Sequence, residues 1–101
     1  MGTDRELLEA AVKAAGIDWV DGHESTGLRD QNGRVWNPLT DDGDALRLAV
    51  KLLFEIDMDR RSIAIRHQTG VKILKAFNND PCATTRRAIV RAAAEIGRSM
   101  K

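Results

Sequence analysis

Apolar residues along this chain fall into three stretches with a helical period, separated by two stretches in which that period is lost. Leu7, Leu8, Ala11, Val12 and Ala15 recur at helical spacing and predict a first helix with one apolar face. Thr3 and Glu6 precede it at the spacing of a capping box, and Gly16 stands where a left-handed residue ends a helix. Leu46, Ala49, Val50 and Leu53 make a second stripe, widened by Ala45, Leu48 and Leu52, while Arg47 and Lys51 form a polar ridge. So broad an apolar sector predicts the most buried helix of the fold. The third stripe, Ile89, Ala92, Ala93, Ile96 and Met100, predicts a last helix to about Gly97, with Arg87, Arg91, Ala94 and Arg98 projecting nearly opposite.

Between the first two helices, glycines at 22, 27 and 33 punctuate short segments. Residues 17–20 and 34–36 read as the strands of a ragged hairpin around a polar loop at 23–33, whose Asp30, Gln31, Asn32, Gly33 run is a turn signature. Pro38 cannot continue a strand ladder and holds Asn37 extended, so the second helix begins after it at about Thr40 or Asp41, which are also its candidate capping residues. In the second non-helical stretch, residues 55–59 alternate with Ile56 and Met58 on one side, and 59–62 offers a turn. Ile63 and Ile65 then alternate with Ala64 and Arg66, Thr69 and Gly70 make another turn, and 71–77 is a third strand. Asp80 as N-cap and Pro81 at the first helical position open the last helix. The expectation is one α+β domain over residues 1–101, in two layers. Three helices pack on an antiparallel sheet of about three to five strands, in the order α-ββ-α-βββ-α.

Composition narrows the class. At 43% apolar and 31% charged residues the chain is globular in kind, with no apolar run long enough to cross a bilayer and a polar, acidic start unlike a signal peptide. With Cys82 as the only cysteine, an intrachain disulfide or cysteine zinc site is excluded, and a reducing cytoplasm is the expected location. The net charge of +1 conceals a split. Residues 1–44 hold ten acids against four Lys or Arg, and residues 45–101 hold five acids against twelve. Complementary packing of the two halves is the simpler reading; differently charged faces for different partners are the other.

No set of side chains has the spacing of a catalytic or cofactor site. Asp41, Asp42 and Asp44 are of the type that binds Mg²⁺ or Ca²⁺, yet they sit where a helix dipole favours acids, and no glutamate closes a calcium loop. His23 and His67 are isolated, and His67 falls in phase with Ile63 and Ile65 as a structural histidine. Cys82 stands in a helix first turn, where a dipole activates thiols, but no basic partner accompanies it. Trp36 reads as core, and Trp19, in a polar glycine-rich neighbourhood, as an interface residue. Arg86, Arg87, Arg91 and Arg98 form a basic stripe suited to phosphates, although Glu95 interrupts it and aromatic residues are only 4%.

The block Trp36, Asn37, Pro38, Leu39, Thr40, Asp41, Asp42, Gly43, Asp44, continuing through Ala45 to Leu52, resembles a family of small proteins encoded in tailed phages and prophages of Gram-negative bacteria. So does the block from Thr84 and Thr85 to Gly97, and residues 4–16 are similar to the start of that family. The resemblance covers roughly half of the chain and carries over no substrate or catalytic residue. What it implies is a cytoplasmic accessory protein, non-enzymatic and without cofactor, that binds a host protein, for instance as an inhibitor of a defence or regulatory system. Segments 23–33 and 57–79 match the family less well. Trp19, His23, Arg29, Arg60, Arg61 and Arg66 are accordingly the candidate partner-binding residues. Nucleic-acid binding through Arg86, Arg87, Arg91 and Arg98 is one alternative, and a small-ligand or nucleotide sponge another. Self-association is a further expectation, since a small sheet has edges to protect.

Overall fold

The computed structural model describes residues 3–17, 19–20, 28–30 and 34–100. Helix α1 (Asp4–Ala15) opens on the capping box: the Glu6 N–H donates to Thr3 Oγ1 and the Thr3 N–H donates to Glu6 Oε1, both at 3.2 Å. These bonds favour the ionised carboxylate, so Glu6 titrates below its ordinary value, with the Thr3 amide the larger cause. Gly16, at φ 69°, ends the helix in the left-handed region, and the Ile17 N–H returns to the Val12 carbonyl.

The expected hairpin after α1 is a three-stranded antiparallel sheet instead. Strands β1 (Trp19–Val20), β2 (Leu28–Asp30) and β3 (Val35–Trp36) pair in that order, with Trp19 opposite Asp30 and Leu28 opposite Trp36. Strand β2 lies in the segment read as a polar loop, because three residues are too few to show a period of two. Ile17 and Arg34 fall outside the strands, and residues 31–33 of the expected turn lie outside the described residues.

Helix α2 (Asp42–Leu52) starts one or two residues later than expected. Asp41 is its N-cap, taking the Asp44 N–H at 2.8 Å, whereas the Thr40 side chain turns back to the Asn37 carbonyl. Strands β4 (Glu55–Met58), β5 (Ser62–Arg66) and β6 (Lys72–Ala76) then form the predicted meander in sequential order, with Ile56, Ile65 and Ile73 in one cross-strand row. At the β4–β5 turn Asp59 Oδ1 takes the Arg61 and Ser62 amides at 2.7 and 2.9 Å, which holds its carboxyl below the ordinary range. Helix α3 (Pro81–Ser99) runs two residues past Gly97; Asp80 caps it through the Ala83 N–H at 3.0 Å, and Pro81 occupies its first turn.

Helix α3 is the centre of the fold, packed against β5, β6, α1 and α2. Ile63 and Ile65 are fully buried beneath it. The helices stack on one face of the meander, and the other face, with Lys72, Leu74 and Ala76, is exposed. The burial ranking expected from the sequence is therefore corrected in two places. The most buried helix is α3 rather than α2, and Ala94, expected on its outer face beside Arg87, Arg91 and Arg98, is wholly buried. Contacts on nearly every side of α3 override its apparent one-sidedness.

Close approach between α1 and α3 depends on small residues. The two helices run in the same direction: Asp4 pairs with Arg87 at 2.9 Å, Ala10 crosses Gly97, and Lys13 Nζ donates to the Met100 carbonyl at 3.0 Å. A Cβ at position 97 would overlap the Ala10 carbonyl oxygen and lie 2.7 Å from its carbon, with backbone as the obstacle. Helix propensity alone favours alanine over glycine by about 1 kcal/mol. Gly97→Ala is nevertheless expected to lower stability by about 2–3 kcal/mol through overpacking. A urea midpoint equal to or above that of the parent protein would contradict this crossing.

Candidate functional site

The residues that looked most like chemistry are engaged in holding elements together. Asp44 is buried at the start of α2 and accepts the Asn37 N–H at 3.0 Å and Arg47 Nη2 at 2.7 Å, tying the strand end to the helix. Asp42 pairs with Arg86 Nη1 at 2.6 Å, while Arg86 Nε donates to the Leu39 carbonyl at 2.9 Å. Within the basic stripe, Arg87 is paired with Asp4 and Arg98 with Glu95, and Arg91 is half-buried. The acidic first half and basic second half of the chain thus meet in the Asp42–Arg86 and Asp4–Arg87 pairs. His67 packs edge-on against Phe54 with ring centroids 5.6 Å apart, and its Nδ1 lies 2.8 Å from Thr69 Oγ1. Among the described residues, no three His, Cys, Asp or Glu are grouped to hold a metal, and no helix is long and apolar enough to cross a membrane.

The partner-binding residues expected from the sequence do not converge where they are described. Arg60 and Arg61 are exposed at the β4–β5 turn, and Arg66 is at the other end of β5, facing Glu55 and Asp57 at 3.6 and 3.7 Å. Trp19 and Arg29 lie on neighbouring strands of the small sheet, and His23 is outside the described residues. Trp36 packs partly against the core and borders a cleft of about 260 Å³ with Ile17, Arg34, Asp44, Arg47, Leu48 and Lys51.

A larger concavity lies elsewhere. An apolar groove of about 420 Å³ is floored by Ala45, Phe77 and Ile89 and walled by Leu46 of α2 and by Ile56 and Met58 of β4. Pro81, Cys82, Thr85 and Arg86 line it from the first turns of α3. The reason for the opening is geometric. Helix α3 covers β5 and β6, so that among the described residues the inner side chains of the edge strand β4 overhang without a helix above them. Helix α2 buries Ala45, Leu48 and Ala49 against α3, but Leu46, Val50 and Leu53 are 61%, 63% and 78% exposed. Their spacing puts them in one line that continues the groove wall along the helix. Isolated surface leucines need no explanation, whereas a contiguous apolar strip beside a groove is a candidate interaction surface.

Leu53 adds a backbone observation. It is the C-cap of α2 at φ 58°, a left-handed conformation that costs a leucine roughly 1 kcal/mol relative to glycine, and its side chain is nearly free of contacts that could offset this. The sequence carried one sign of this face. An apolar sector of seven residues on α2 is wider than one neighbouring helix can cover. Strand β4, in which Glu55 and Asp57 alternate with Ile56 and Met58, carries no such sign, because its alternation is the same whether the apolar side is covered or open.

No family model, no curated protein and no solved structure matches this chain. Leu53→Gly is expected to raise stability by roughly 1 kcal/mol, since it relieves the left-handed backbone and removes a side chain that buries little. A drop in melting temperature would show that Leu53 is held by packing and does not belong to an open face.

Proposed function

We propose that this chain is a non-enzymatic protein-binding module that docks a partner on the apolar face made by α2, β4 and the start of α3. The observation that carries this reading is the line Leu46, Val50 and Leu53 beside the groove, three large apolar side chains that are each more than half exposed. The resemblance of the 36–52 and 84–97 blocks to phage and prophage proteins supports a bacterial host protein as that partner, with the bound protein inhibited as part of a defence or regulatory system. On this reading the binding surface moves from the arginines at 60, 61 and 66 to the apolar face. Nucleic-acid binding has less behind it, since Arg86, Arg87 and Arg98 already face Asp42, Asp4 and Glu95.

A partner held by apolar contact stays bound at high salt, because burial of apolar surface is not screened by ions. Leu46→Glu with Val50→Glu alters two exposed side chains and should leave the fold within about 0.5 kcal/mol of the parent. Affinity capture from bacterial lysate is expected to retain one host protein with the parent chain in high salt and to lose it with the double variant. Capture that is unchanged in the double variant, or that disappears as salt rises, would contradict the apolar face. A concentration-dependent dimer abolished by the same variant would assign the face to a second copy of the chain.

A further inference from the structure

The open edge of β4 specifies more about the partner than its apolar character. The Asp59 N–H donates to the Ser62 carbonyl at 3.0 Å, which makes 59 and 62 a hydrogen-bonded pair of the β4–β5 ladder. Alternation along an antiparallel pair then turns the N–H and C=O of Asp57 and Glu55 toward β5 and leaves those of Ile56 and Met58 pointing out of the sheet. The side chains of Ile56 and Met58 line the groove. Those of Glu55 and Asp57, on the opposite face, are 70% and 71% exposed and share the single guanidinium of Arg66. Among the described residues this edge therefore offers ladder groups with no neighbouring strand, an apolar trough on one side and an excess of negative charge on the other.

We infer that β4 receives an extended segment of another protein as an added strand, with apolar residues alternating with Lys or Arg. Its apolar side chains enter the trough beside Leu46, and its basic side chains lie over Glu55 and Asp57. This rests on the docking function proposed above and names the occupant of that face. Charge selects against a second copy. Any two-fold pairing of β4 with itself that keeps Ile56 and Met58 on the shared apolar side sets acid opposite acid on the other, among Glu55, Asp57 and Asp59. The other edge, β6, would bring Lys75 to the trough side and propagate without closing.

The test uses the intact protein and three capped heptapeptides: alternating Val and Lys, alternating Val and Glu, and an isomer of the first with its valines in one block. Fluorescence anisotropy is expected to show the Val/Lys peptide binding roughly tenfold tighter than either control. Hydrogen exchange should slow at the Ile56 and Met58 amides and not at Asp57. Ile56→Pro removes an outward N–H without touching the β5 ladder and should abolish binding, while Asp57→Lys should reverse the preference toward the Val/Glu peptide. Equal affinity for the three peptides, no protection at Ile56 and Met58, or an unchanged preference in Asp57→Lys overturns strand addition. If these fail while the Leu46→Glu, Val50→Glu variant still loses its captured protein, docking stands and the strand mode falls. Protein-concentration-dependent filaments without peptide would assign the edge to β6 of a second copy and overturn the inference.

Discussion

A helix can be buried on nearly all sides only if its neighbours come close, and in this fold that closeness depends on the absence of a side chain at Gly97. The Ala10 carbonyl occupies the place a Cβ would take, and Ala88, Ala92, Ala93 and Ala94 keep the rest of α3 narrow. With α1 seated tightly on one side and β5 and β6 on another, α2 finds only part of α3 left to cover. It buries Ala45, Leu48 and Ala49 there and keeps Leu46, Val50 and Leu53 outside. The exposed apolar face thus follows from how α3 is packed.

Electrostatics fixes the same arrangement from the surface inward. Arg86, only 18% exposed, reaches both the Leu39 carbonyl and Asp42, so the head of α2 is bound to the first turns of α3 across 44 residues of sequence. That pair closes one end of the groove. Ion pairs with at least one partner open to solvent contribute little stability each, yet they decide where elements sit, and they leave the basic half of the chain with less positive charge for phosphates than its composition suggests. Around β4 the balance has the opposite sign, since two carboxylates share one arginine.

Local signals in the sequence were legible wherever a few adjacent residues settle the outcome. The Thr3 and Glu6 capping box, Gly16, Asp41, the Asp80 and Pro81 entry and the alternation of β4, β5 and β6 all stand as their spacing predicts. Burial was not legible in the same way. The stripe on α2 is apolar across a wide sector, and only the position of α3 decides which half is covered. Strand β2 has no signature in the sequence because Leu28, Arg29 and Asp30 carry no alternation, and its partners lie on both sides of it along the chain. The groove was out of reach for a related reason: Leu46, Met58, Phe77 and Ile89 are gathered from four separate stretches of the chain, and no spacing links them.

The proposed docking on the α2 and β4 face excludes the outer face of the meander as the meeting point with a partner. Site-specific photo-crosslinking in bacterial cells separates the two, with the crosslinking residue placed at Val50 or at Leu74, which are 63% and 64% exposed and so equally available. Docking on the α2 and β4 face gives a discrete crosslinked protein from position 50 and none from position 74. Crosslinking from position 74 alone would contradict it.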